Sequence, residues 1–109
     1  MGLNVSQLGV DILASFKHTL TDKWPEIRDY AEAEAKKLAH TLVMIEALIV
    51  SGKINHEQAM LHIEIQKNAI RTVLLATEGL GILAVEAAIN KALDVVKNTV
   101  NSAIGFALL

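Results

Sequence analysis

Apolar residues recur along this chain at helical spacing and give way to polar ones at a few places. Val5, Leu8, Ile12, Phe16 and Leu20 stand three or four apart and predict a first helix over about 5–20. Asn4 and Gln7 ahead of them match a capping box, in which each side chain serves the other residue's backbone N–H. A second stripe follows: Ala31, Ala35, Leu38, Leu42, Ile45 and Ile49, widened by Val43, Met44, Ala47 and Val50. It predicts a helix over about 23–51, capped by Thr21 or Asp22, with Pro25 in the first turn, where a missing N–H costs little. The second half of this helix is apolar most of the way round, so more than one neighbour should cover it.

Ser51-Gly52-Lys53 marks the next reversal. Gly52 suits the left-handed stop after a helix, and Asn55-x-x-Gln58 is a second capping-box pattern. Beyond it, helical spacing runs over about 55–102, with Gly79 and Gly81 as the only breakers. Turns ordinarily carry polar residues, yet these glycines are flanked by Leu80, Ile82 and Leu83. The favoured reading is therefore one continuous or kinked helix, about 70 Å long at 1.5 Å per residue. The alternative is a break at Glu78-Gly79-Leu80-Gly81 that yields four helices within one chain. On the continuous reading, Glu64, Arg71, Glu78, Glu86, Asn90, Asp94, Lys97 and Asn101 track one slowly drifting polar face. Their period of about 3.7 residues per turn is nearer an eleven-residue repeat than a heptad.

These elements predict an all-α single domain over residues 1–109: a short N-terminal helix plus a long antiparallel helical hairpin. A two-layer hairpin cannot cover helices that are apolar on several sides. Four-helix-bundle-like packing is then completed by oligomerisation, with a second copy of the chain as partner. The interface expected on this reading comprises Ile82, Val85, Ile89, Leu93, Val96, Ile104 and Phe106. The segment 98–109 has no ionisable side chain, and its Ile104, Phe106, Leu108 and Leu109 need cover from a partner, from the first helix or from lipid.

Composition narrows the function classes. Aromatics are 4% of the chain against 52% hydrophobic residues, so the core must be aliphatic, as helix-on-helix packing allows. The net charge is −2 and the lysines are scattered, which argues against nucleic acid as a partner. With no cysteine, disulfides, thiolate metal sites and cysteine nucleophiles are excluded. Met1 to Leu20 lacks a basic start and carries Asp11, unlike a signal peptide, and no uninterrupted apolar run reaches membrane-spanning length. A cytoplasmic location follows, with peripheral membrane contact as the alternative.

The candidate chemistry is sparse. No Glu-x-x-His motif of di-iron bundles occurs. Across the Gly52 turn, Glu46 should face His62, and a dimer could gather two such pairs around a divalent metal. A buried Glu–His hydrogen bond is the plainer reading. Glu78 and Glu86 stand in apolar surroundings, either on a solvated stripe or as lining of an assembled pore. Arg71 is seven residues before Glu78, too far along one helix for a direct ion pair. The serines show no nucleophile elbow, and Gly79-Leu80-Gly81 lacks the rest of a dinucleotide fingerprint. The gross shape resembles that of small hairpin proteins of bacterial secretion systems and of ferritin-like hairpins. The turn lacks the tryptophan two residues before glycine that marks the former, and the ligand motif of the latter is missing. The expected function is a non-enzymatic, self-assembling structural or adaptor component without a cofactor. A membrane-active or pore-forming protein is the first alternative and a ferritin-like metal-binding bundle the second.

Overall fold

The computed structural model describes residues 2–77 and 79–109. Helix α1 spans Val5–Thr19, α2 Trp24–Val50, α3 His56–Leu75 and α4 Ile82–Ile104, with a 3-10 turn at Thr21–Lys23 between α1 and α2. No strand occurs among the described residues.

Local chemistry accounts for most helix ends. Asn4 accepts from the Gln7 N–H at 2.9 Å and opens α1, while the Gln7 amide donates to Asp11. The second half of the expected capping box is thus traded for a bond one turn ahead. Thr21 was expected to start the second helix. Its hydroxyl instead donates to the His18 carbonyl at 2.9 Å and closes the first. The 3-10 turn intervenes, and α2 starts at Trp24 with Pro25 in its opening positions. After α2, Gly52 adopts φ +73°, with its N–H on the Ile49 carbonyl and the Lys53 N–H on the Leu48 carbonyl. Those two bonds form a Schellman stop. Asn55 and Gln58 then make both bonds of a capping box, each 2.9 Å, and launch α3.

The largest departure from the sequence-based expectation lies between Leu75 and Ile82. The segment read as one helix is two. Gly79 takes φ +83°, Leu80 donates back to the Thr77 carbonyl, and Gly81 precedes α4 without a side-chain cap. Leu80 is half-buried against the core, so an apolar residue is at home in this turn. The drifting polar face and its eleven-residue period required one unbroken helix and do not exist as a surface.

Contacts at the two ends set the helix directions. At one pole, the Leu3 N–H donates to Glu46 near the end of α2, and the Phe106 ring lies 4.4 Å from the ring of His56 at the start of α3. At the other, the Lys23 ammonium lies beside Gly79. The helices therefore run alternately up and down. Helix α1 packs on α2 and α4, and α3 packs on the same two from the other side. At 1.5 Å per residue, α2 alone is about 40 Å long, close to the 43 Å long dimension of the molecule.

The core is aliphatic except for Phe16. Leu8, Ile12 and Phe16 of α1 meet Ile27, Leu38, Leu42 and Ile45 of α2, Ile70 and Leu74 of α3, and Val85, Ile89 and Val96 of α4, all buried. Small residues at Ala31, Ala35, Ala59, Ala88 and Ala92 let the backbones approach. The tail also finds cover within the chain. Gly105 ends α4 at φ +97°. The Asn101 side-chain oxygen then accepts from the Leu108 and Leu109 N–H groups at 2.9 and 3.0 Å, which seats Leu108 in the core.

Candidate functional site

The Glu46–His62 pair expected across the α2–α3 turn is not where the carboxylate is engaged. Glu46 accepts the Leu3 N–H at 2.8 Å, pinning the segment before α1 to the last third of α2. The same oxygen stands 2.7 Å from where a side-chain carbon at Gly2 would sit. His62 is half-buried on α3. Among the described residues no group of three or more His, Asp or Glu side chains gathers as a metal-ligating cluster. His40, His18 and His56 are exposed.

The residues expected to meet a second copy are divided by the fold. Val85, Ile89, Val96 and Ile104 are buried in the chain's own core, and Leu93 and Phe106 are half-buried against it. Only Ile82 is exposed. The reversal at Gly79 turns α4 back onto α1, so these side chains already have partners.

That reversal also creates the main polar contact between helices. Arg71 on α3 makes a two-pronged ion pair with Glu86 on α4: Nη2 donates to Oε1 at 3.0 Å and Nε to Oε2. Its Nη1 donates to Asn68, one turn back. The hydrogen bond from Arg71 holds the Glu86 carboxyl below the usual range, and the same bond raises the guanidinium. Sequence spacing set Arg71 too far from Glu78 for an ion pair and offered no other partner; Glu78 itself lies outside the described residues. Glu86 comes from beyond the turn, where helical spacing within one segment could not place it.

Glu34 is the residue that the sequence reading passed over. It is 2% exposed on the core side of α2, with one carboxylate oxygen on Lys37 at 3.1 Å and the other without a partner. The signal was present, since Glu34 stands three after Ala31 and four before Leu38, on the apolar stripe itself. Burial of an acid is unfavourable without such a partner, and Lys37 can reach over it because its stem is long. Across the α2–α3 pair, the Thr41 hydroxyl donates to Gln66 at 3.3 Å, while the Gln66 amide nitrogen is unpaired.

Two shallow grooves run along the sides. One of about 490 Å³ lies between α1 and α2, walled by Val5, Val10 and Leu13 with Glu32, Lys36 and His40 at its rim. The other, about 310 Å³, lies between α3 and α4, with Glu64, Lys67, Asp94 and Lys97 around Ile63, Leu93 and Leu108. In the second, acids and lysines alternate, so neither sign of ligand charge is favoured. The outer face of α3 differs from both. Leu61 and Ile65 are 60% and 59% exposed. Gln58, Asn68, Ala69 and Thr72, which share that face by helical spacing, are exposed and uncharged.

The architecture is all-α, with four packed helices among the described residues. Comparison with known proteins adds no relative: no family profile fits the chain, and no curated protein or solved structure aligns with it significantly.

Proposed function

We propose that the protein is a non-enzymatic helical component that assembles with copies of itself and serves a structural or adaptor role. The outer face of α3 carries the reading. A surface helix ordinarily covers its solvent side with charge. Here Leu61 and Ile65 stand one turn apart on a strip from Gln58 to Thr72 whose other members, Asn68 and Ala69, are uncharged, with exposed Glu57 and Glu64 along its edge. That stretch is about 22 Å long at helical rise. A copy of the same chain brings an equally uncharged face, so two such faces meet without burying an unpaired ion. The interface is thus moved from α4, where the sequence pattern suggested it, to α3.

Light scattering after size exclusion tests the proposal. The wild-type chain should run at a multiple of its 11.8 kDa mass, and the double variant Leu61→Glu, Ile65→Glu should fall to the monomer while keeping its helical circular dichroism. A wild-type chain that stays monomeric over the accessible concentration range sinks the proposal.

A further inference from the structure

The pole that carries the α3–α4 turn is built unlike an ordinary loop. Loops at the surface usually present polar side chains. Here Leu83 is 85% exposed, Ile82 50% and Leu75 39%. Ala76, Gly79, Gly81 and Ala84 beside them are exposed too. Between Thr72 and Val85 the sequence has one ionisable residue, Glu78. The 3-10 turn shares this pole: Lys23 reaches Gly79, and the half-buried Trp24 follows it.

Size decides what such a surface can hold. The molecule is 23 × 18 Å across its long axis. A stable protein interface buries roughly 800 Å² per partner, about twice what an end of these dimensions offers. A bilayer sets no such minimum. A few aliphatic side chains sinking to the boundary between headgroups and acyl chains, with a tryptophan at the interface, hold a protein reversibly. Charge selects among bilayers. Lys17, Lys23 and Arg28 near this pole alternate with Asp22, Glu26 and Asp29. Lys23 is 3.8 Å from Glu26 and Arg28 is 3.6 Å from Asp29. No single-sign field is left to draw the pole to anionic lipid.

We propose that this pole is a docking tip for a zwitterionic bilayer surface, with Leu75, Ile82 and Leu83 entering the lipid and Trp24 lying at its edge. No described helix is long and apolar enough to cross a membrane, and docking by the tip requires none. The tip is separate from the outer face of α3, so this inference stands apart from self-assembly.

The test uses the full chain with phosphatidylcholine vesicles. Wild-type protein should float with the vesicles, and its single tryptophan should be quenched by brominated phosphatidylcholine. The double variant Ile82→Asp, Leu83→Asp alters exposed positions only, and its helical circular dichroism should match wild type. Its bound fraction should fall by about tenfold or more. Val10→Asp, on the exposed side of α1, should float like wild type. Mixing phosphatidylserine into the vesicles should leave binding within about twofold. The inference is overturned if wild-type protein does not float, if the tip variant floats equally well, or if binding requires phosphatidylserine. It is overturned as well if, without lipid, the tip variant alone dissociates a soluble oligomer, because the tip then serves a protein.

Discussion

The two reversals that flank α3 are made in opposite ways. The first, between α2 and α3, is polar and complete in its own hydrogen bonds: a Schellman stop at Gly52 and a reciprocal cap between Asn55 and Gln58. The second, between α3 and α4, sets Leu80 between two glycines, and α4 starts at Gly81 without a side-chain cap. What holds the second lies outside it. Leu80 rests on the core, Lys23 comes from the α1–α2 connection, Glu86 pairs with Arg71, and the apolar stripe of α4 is buried. One reversal is therefore a local decision and the other a tertiary one. The locally made turn leaves one large aliphatic side chain, Val50, in solvent, whereas the other leaves three.

The comparison can be broken most directly through the core of α4. Ile89→Ala removes buried packing at a helix whose return depends on it, and should lower unfolding stability by about 2–5 kcal/mol. Urea titration measures the loss, and hydrogen exchange should show α4 and residues 76–81 opening before residues 51–55. A loss under about 1 kcal/mol would mean that the second reversal is locally encoded after all.

A smaller effect separates the two glycines. Gly52 and Gly79 both have positive φ, so alanine should cost about 1–2 kcal/mol at either site. At Gly52 the new carbon meets nothing within 4 Å, whereas at Gly79 it would lie 2.7 Å from the Lys23 ammonium. Gly79→Ala should thus exceed Gly52→Ala by about 0.5 kcal/mol in thermal or urea unfolding. Adding Lys23→Ala should erase the difference. If it persists, the strain lies in the backbone and not in that contact.

These glycines also show how much was legible beforehand. Gly52 was readable because Asn55 and Gln58 follow it in a pattern with a known hydrogen-bonding outcome. Gly79 and Gly81 sat among leucine and isoleucine, where polar turn chemistry was the missing cue. The core residues of α1 and α2 were readable from spacing. The cover of α4 was not: Val85, Ile89 and Val96 look the same in sequence whether they face another copy or their own first helix. Glu86 was visible as an oddity, but its partner was not, because Arg71 is brought to it only by the reversal.

The smallest expected effect concerns that pair. Arg71 stabilises ionised Glu86, so the folded carboxyl titrates below the ordinary value of 4.5. Its contribution is present at neutral pH and down to the ordinary glutamate range, and is lost as pH falls from there through the lowered folded value. Glu86→Gln should therefore destabilise slightly at neutral pH and flatten the decline in melting temperature in that acid window. An unchanged acid slope would show that the ion pair does not tie α4 to α3 in solution.

Helical periodicity, the caps at Asn4 and Asn55 and the stop at Gly52 establish from the chain alone that this is a helical protein reversing after Val50. Those signals act over three to five residues, through hydrogen bonds whose partners are near in sequence. The second reversal, the in-chain cover of α4 and the choice of which aliphatic residues remain in water are settled only in three dimensions. The reason is that apolar burial is non-directional. Periodicity says that a face must be covered and is silent on whether the cover comes from the chain's own first helix, another copy or lipid.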